Sequence, residues 1–154
     1  MSVHDRNELR RVNRRVRANT RASLMSDSKW RKMLVALDRP GLELRQCVVK
    51  FVGGAEPRIM RLPKGLHPPR PWIDTVEFGP IPLRAIEWMW FPAAIELPPT
   101  HGALSARRIE QDVEAAFHIV GALGKYPAEL SERGLLIVGH LANSSPEPVP
   151  DGSR

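Results

Sequence analysis

The five histidines and the one cysteine of this 154-residue sequence are among the side chains that could serve as metal ligands or nucleophiles. The histidines are His4, His67, His101, His118 and His140, and the cysteine is Cys47. No two of them have the spacing of a metal-binding motif, and no base lies near Cys47 in the sequence. His118 and His140 have apolar neighbours, which favours structural roles. The sequence therefore predicts no metal site, no cofactor and no catalytic set, and we expect a protein that is not an enzyme.

Glu87 is the one carboxylate within an otherwise apolar predicted strand. A buried carboxylate needs a cationic partner, so an ion pair with Arg84 or Arg45 is a more economical interpretation than a catalytic acid. Cys47 stands among Val48, Val49 and Phe51 and is expected to be a small core residue. Neither side chain is predicted to take part in chemistry.

Arginine is concentrated in the first 21 residues. The candidate partner-binding arginines are Arg10, Arg11, Arg14, Arg15, Arg17 and Arg21. Residues 1–32 hold ten Lys or Arg against three acidic residues, a net charge of +7, so the other 122 residues sum to −1. Six arginines could neutralise the phosphates of a nucleic acid, although no aromatic residue alternates with them and we expect them to surround their helix. The alternative interpretation is a solvated N-terminal arm.

Three tryptophans, Trp72, Trp88 and Trp90, are close together in the sequence. Trp88 and Trp90 share a predicted strand face with Ile86, and we expect them to fill that face beneath the helices. Trp72 follows the prolines of residues 68–71, which restrict the loop before it. It is therefore the candidate anchor for a protein partner.

Hydrophobic periodicity, cap residues and the positions of proline and glycine predict an α+β fold. The predicted helices are residues 6–22, 28–38 and 106–123, and the predicted strands are residues 42–52, 58–62, 83–91 and 135–141, with an extended piece at 73–78. The expected core is Trp30, Leu34, Val49, Phe51, Ile86, Trp88, Phe117, Val120 and Ile137. We expect a mixed, mostly antiparallel sheet of about four strands with helices on one face, plus the N-terminal basic helix.

The chain divides by composition into three parts. Residues 1–25 are expected to be a basic helical arm, residues 26–141 a single α+β domain, and residues 142–154 a disordered tail. No segment is apolar enough for a signal peptide or a membrane span, and a single cysteine suits a reducing compartment. A cytoplasmic protein without membrane contact is the resulting expectation.

Two segments, NTRASLMSDSKW (Asn19–Trp30) and FGPIPLRAIEW (Phe78–Trp88), resemble sequence blocks of a family of uncharacterised small bacterial α+β proteins, a domain of unknown function. The resemblance spans residues 19–141 and implies a shared fold without an activity. Small bacterial domains that lack a catalytic set often act as immunity proteins. We therefore expect a protein-binding module, such as an immunity protein that blocks a toxin by occlusion, with nucleic-acid binding through the arginine-rich helix as the alternative.

Overall fold

Three α-helices and eleven short β-strands make up the described part of the chain. The computed structural model describes residues 3–54, 56–66, 71–100, 102 and 105–143. The helices are α1 (Val3–Asn19), α2 (Asp27–Leu37) and α3 (Val113–Leu123). The strands are β1 (Thr20–Ser23), β2 (Gln46–Phe51), β3 (Arg58–Arg61), β4 (Trp72–Thr75), β5 (Gly79–Pro82), β6 (Ile86–Pro92), β7 (Ala94–Leu97), β8 (Arg107–Glu110), β9 (Ala128–Ser131), β10 (Gly134–Val138) and β11 (His140–Ala142). The predicted α+β class is confirmed, and none of the described helices combines the length and apolar character needed to cross a membrane.

Five of these strands form the central sheet, in the spatial order β3-β2-β6-β10-β9, and every neighbouring pair is antiparallel. The predicted strands 42–52 and 58–62 correspond to β2 and β3, which pair as a hairpin. The sheet has five strands instead of the predicted four because β9 pairs with β10 across a two-residue turn. The sequence of β9, AELS, has no β-branched or aromatic residue, so its strand conformation depends on that pairing more than on local propensity.

Six further strands pair as three two-stranded ribbons, β1 with β11, β4 with β5 and β7 with β8. The first ribbon explains why α1 ends at Asn19 instead of continuing to residue 22. Residues Thr20–Ser23 leave the helix and pair with β11, which places Ser23 opposite His140. Strand β11 ends at Ala142, the first residue of the predicted tail 142–154, and residues 144–154 of that tail lie outside the described residues.

The main core lies between the sheet and helices α2 and α3. Alternating strand residues such as Cys47, Val49, Met89, Leu135 and Ile137 are fully buried in it. The helices contribute Trp30, Met33, Leu34 and Leu37 from α2, and Val113, Ala116 and Val120 from α3. This arrangement is the predicted one, with helices packed on one face of the sheet. Helix α2 begins where predicted, since the Ser26 hydroxyl accepts a hydrogen bond from the backbone N–H of Lys29 at 3.1 Å.

Trp88 and Trp90 lie on the opposite face of the sheet, where they form a second, smaller cluster with Leu136. The expectation that they share a face with Ile86 beneath the helices is wrong. Strand β6 has a bulge at Glu87, because Lys50 lies opposite Trp88 while the adjacent Phe51 lies opposite Ile86. The extra residue reverses the alternation, so Ile86 and Met89 both reach the helix side.

The predicted helix 106–123 is 18 residues long, whereas α3 has 11 residues. The first part of the predicted helix is strand β8, which pairs with β7 and places Ile109 opposite Ile95. Asp112, not Ser105, occupies the N-cap position of α3. The buried Gln111 holds this junction, because its side chain bonds the backbone of Arg45, Gln46 and Pro92 at 2.8 to 3.0 Å. Tertiary pairing here overrides a helical pattern that extends across both elements.

Candidate binding surface

One side of α1 is covered by arginine and asparagine side chains. Four exposed arginines, Arg10, Arg11, Arg14 and Arg17, line a shallow concavity of about 550 Å3 together with Asn7 and Asn13. We call Asn7 and the four arginines the arginine face. Their spacing of three, four and seven residues places them on one side of a helix. The expectation that the arginines surround the helix is therefore wrong for these four.

The other side of α1 turns toward the body of the protein. Leu9 and Val12 are buried there and Val16 is half-buried. Asp5 and Glu8 are also half-buried. Because successive helix residues are rotated by 100°, both project toward this side and not from the arginine face. Hence α1 is amphipathic in charge as well as in hydrophobicity, and its acidic residues do not lie among the arginines.

The charge of the arginine face is not neutralised within the described part of the chain. The ion pairs found there involve five other cations, and none reaches Arg10, Arg11, Arg14 or Arg17. Four guanidinium groups thus lie within about two turns of helix, open to solvent. Such a surface attracts anionic groups because each guanidinium can donate two parallel hydrogen bonds to a phosphate or carboxylate.

The remaining two candidate arginines lie outside this face. The aliphatic part of Arg15 packs against the β2–β3 turn, where a Cβ added at Gly53 would come within 2.7 Å of Arg15 Cδ. Arg21 lies beyond the helix, exposed on β1. Only four of the six predicted partner-binding arginines are therefore brought together by the fold.

Helix α1 is fixed to the rest of the protein at its middle and at its C-terminal end. Arg84 Nη1 donates to the side-chain oxygen of Asn13 at 3.2 Å. Asn143 donates from its backbone to Asn19 O at 3.0 Å and from its side chain to Ala18 O at 3.1 Å. No local sequence pattern marks Asn13 or Asn143, because each contacts a partner more than 70 positions away.

The position of Arg84 is itself fixed from two directions. Its guanidinium donates to the carboxylate of Asp27 through Nε and Nη2. Its backbone carbonyl bonds His140 Nε2 at 2.7 Å, and His140 Nδ1 lies 2.8 Å from the Ser23 hydroxyl. Since a carbonyl can only accept, Nε2 donates to it, and Nδ1 shares its hydrogen bond with the Ser23 hydroxyl. The buried His140 therefore has two partners and a structural role, as predicted.

The candidate anchor Trp72 lies at the start of β4 and is half-buried. Its backbone carbonyl accepts a hydrogen bond from Arg31 Nη2 at 2.6 Å. Pro68 and Pro69, which motivated its choice, lie outside the described residues. The role of Trp72 as an anchor thus stays a prediction, supported by a partly exposed indole on an ordered strand.

The other polar candidates have structural partners. Glu87 pairs with Lys50, at 3.2 Å from Nζ to Oε2, instead of the predicted Arg84 or Arg45. Arg45 pairs with Glu43. Cys47 is fully buried, which confirms it as a core residue, and burial, with a smaller effect from the charge of Glu77, raises the pKa of its thiol. The described residues contain no group of His, Cys, Asp and Glu side chains that could hold a metal ion.

Comparison with known proteins finds no match among protein-family models, curated proteins or solved structures. The resemblance of the two sequence blocks to an uncharacterised bacterial family stays a prediction. The structure does bring these blocks into contact, because Asp27 of the first binds Arg84 of the second.

Proposed function

We propose that this protein is a nucleic-acid-binding protein that contacts phosphates through the arginine face of α1. The observation that supports the proposal is the grouping of four exposed arginines, none of which has an ion pair among the described residues, on one side of a helix whose acidic residues lie outside that group. Phosphate neutralisation by such groups supplies most of the affinity of non-specific nucleic-acid binding. In this proposal the protein acts by binding and carries out no reaction.

The composition of the arginine face favours a nucleic acid over a protein as its partner. Stable protein interfaces usually depend on a few desolvated aromatic or aliphatic anchors at their centre. The arginine face, Asn7 and the four arginines, contains no aromatic or large aliphatic side chain, and the exposed apolar residue near it, Val3, is small and lies one turn before Asn7. Phosphate recognition needs no apolar anchor, because guanidinium groups and displaced counterions supply the free energy of binding.

The salt dependence of binding tests the proposal. Fluorescence anisotropy of labelled oligonucleotides should show binding that weakens roughly 40- to 150-fold between about 50 and 200 mM salt, as three or four neutralised phosphates require. Replacing Arg10 and Arg17 together with glutamine should lower the slope of log affinity against log salt by about 2.

A matched control removes the same charge elsewhere. Arg107 and Arg108 are exposed on β8, and the double substitution with glutamine should leave the slope unchanged. If both double variants weaken binding equally, net charge alone explains the affinity and the arginine face is not the site. Absence of binding at the lower salt concentration would refute the proposal.

A second candidate function is the protein-binding module, such as a cytoplasmic immunity protein that occludes a toxin. It is supported by two highly exposed apolar side chains, Ile59 on β3 at 60% and Val76 in the β4–β5 turn at 74%. These elements are adjacent, because Arg61 Nε lies 3.0 Å from Glu77 Oε1 and Arg58 lies over the Phe78 ring. Exposed apolar residues of this kind suit a protein interface.

The two candidates predict opposite effects of substitution on a purified complex. A stoichiometric protein partner that survives nuclease treatment should be lost when Ile59 and Val76 are replaced by serine, or when Trp72 is replaced by alanine. The same partner should be retained by the Arg10 and Arg17 double variant. Retention by the serine variant together with loss by the arginine variant would contradict the second candidate.

A further inference from the structure

The shape and side chains of α1 fit one class of nucleic acid better than the others. We propose that the ligand of the arginine face is B-form duplex DNA and that α1 enters its major groove. This inference rests on the proposed function and adds the class of ligand and the mode of contact. A 17-residue helix is about 25 Å long and about 10 to 12 Å in diameter, which matches a groove about 12 Å wide.

Two alternative ligands fit less well. Single strands are bound by aromatic side chains on which bases stack, and the sequence of α1, VHDRNELRRVNRRVRAN, contains no Phe, Tyr or Trp. The major groove of A-form RNA is deep and too narrow for side chains to read the bases. Recognition of duplex DNA needs no aromatic residue for stacking, and the major groove of B-form DNA is wide enough to admit an α-helix.

The arginine face consists of a central row and two flanks. Asn7 and Arg14 are seven residues apart, which is two turns of helix less 20°, so they lie in one row. That row is diametrically opposite the buried Leu9 and Val12 and is the part of α1 farthest from the body. Arg11 lies on one flank of the row. Arg10 and Arg17 share the other flank and are again seven residues apart.

This layout separates base-reading positions from phosphate-binding positions. Asn7 and Arg14 would face the floor of the groove, where asparagine pairs with adenine and arginine pairs with guanine through two hydrogen bonds. Their separation along the helix is about 10 Å, or about three base-pair steps. The flanking arginines would reach the phosphates of the two strands, which fix the position of the helix without reading sequence.

The attachment of α1 supports a recognition role because the helix is held in place before any ligand binds. The bond from Arg84 to Asn13 lies beside the arginine face, and Asn143 holds the last turn. Binding then costs little conformational entropy in the protein backbone. The rest of the affinity can come from the four guanidinium groups.

A comparison of ligands with the full chain tests the inference. Anisotropy should show that a duplex DNA of about 20 base pairs binds at least about 10-fold more tightly than either the same single strand or an RNA duplex of the same sequence. Methyl green, which occupies the major groove, should displace the protein, and netropsin, which occupies the minor groove, should not.

Substitutions at the base-reading positions and at the phosphate-binding positions should have different effects on binding. Replacing Asn7 with alanine or Arg14 with glutamine should reduce the preference among sequences selected from a random duplex pool. Replacing Arg17 with glutamine should weaken binding to all sequences and lower the salt slope by about 1. Thermal unfolding followed by circular dichroism would identify any variant that loses its fold. A second pair, Asn7→Gln and Arg14→Lys, would then replace such a variant.

Each outcome separates this inference from the proposed function. Equal or tighter binding of the single strand or the RNA duplex, with the arginine variants still defective, would overturn the inference and leave the proposed function standing. Displacement by netropsin alone would also overturn it. Absence of binding to all three nucleic acids would refute both.

Discussion

The guanidinium group of Arg84 donates two hydrogen bonds to the same carboxylate oxygen of Asp27, and its Nε–Oδ2 distance is 3.2 Å. The two side chains are 33% and 24% exposed, so the pair is only partly hydrated. Asp27 Oδ1 is buried and has no hydrogen-bond partner among the described residues. The third guanidinium nitrogen holds Asn13 on α1. One arginine thus connects α1, the N-terminus of α2 and the turn that precedes β6.

Replacing Arg84 with alanine should lower the free energy of unfolding by about 2 kcal/mol, because Asp27 would keep its charge and lose its partner. Urea denaturation measures this difference. Arg45→Ala is the matched control, since the Arg45–Glu43 pair is 47% and 41% exposed, and should cost about 0.5 kcal/mol or less. Equal losses in the two variants would show that the Arg84–Asp27 pair contributes no more to stability than an exposed ion pair.

Gly139 and Gly121 should respond in opposite directions to alanine. A Cβ at Gly139 would lie 2.4 Å from the backbone oxygen of Ile86 and 2.9 Å from the Trp30 ring, so we expect a loss of about 3 kcal/mol. A Cβ at Gly121, in the exposed part of α3, meets nothing within 4 Å, and we expect a gain of roughly 0.5 to 1 kcal/mol from helix propensity. Chemical denaturation of both variants checks the pair, and a stable Gly139→Ala would contradict the observed packing.

Cys47 should be chemically inert in the folded protein. It is fully buried, and the raised pKa of its thiol leaves little thiolate to react. At about pH 8, modification by iodoacetamide should be at least about 100-fold slower in native protein than in urea. In the native protein the reagent can reach the thiol only when the fold opens, which is rare. Comparable rates in the two conditions would mean that β2 separates easily from the core.

Glu77 should contribute to stability at neutral pH and lose that contribution in acid. Burial alone would raise the pKa of the Glu77 carboxyl, but hydrogen bonds from the Arg61 side chain and from backbone N–H groups hold it below its ordinary value. A lowered pKa in the folded state gives stability above the unfolded-state pKa that disappears as pH falls through the folded-state value. Glu77→Gln should therefore flatten the decline of unfolding free energy between about pH 5 and pH 3, and parallel curves would refute the linkage.

Local signals predicted the elements that are controlled by local chemistry. Helix α2 follows its Ser26 cap, and β2 and β3 follow their alternating residues and the intervening glycines. The errors occur where distant contacts decide the conformation. Strand β8 depends on its pairing with β7, and the bulge at Glu87 depends on the register of β2 against β6. Neither dependence leaves a mark within the segment itself.

The sequence predicted that the candidate surface would consist of arginines, but it did not predict which arginines lie together on α1. The arginine count already suggested an anionic partner, and periodicity could have placed Arg10, Arg14 and Arg17 on one side once the buried Leu9 and Val12 were known. What separated Arg15 and Arg21 from that group was the packing of Arg15 on Gly53 and the end of α1 at Asn19. Both depend on contacts from other parts of the chain.

The pairing of β1 with β11 determines how the protein should respond to mechanical tension. Thr20 lies opposite Ala142, so the chain enters and leaves this ribbon at the same end. Tension on the two sides of the ribbon would break its hydrogen bonds one pair at a time, beginning with those from Asn143 to Asn19 and Ala18. The five-stranded sheet would carry no load until the ribbon had opened. We expect the attachment of α1 to be the mechanically weakest part of the fold, and single-molecule pulling should detect its release as a separate early step at low force.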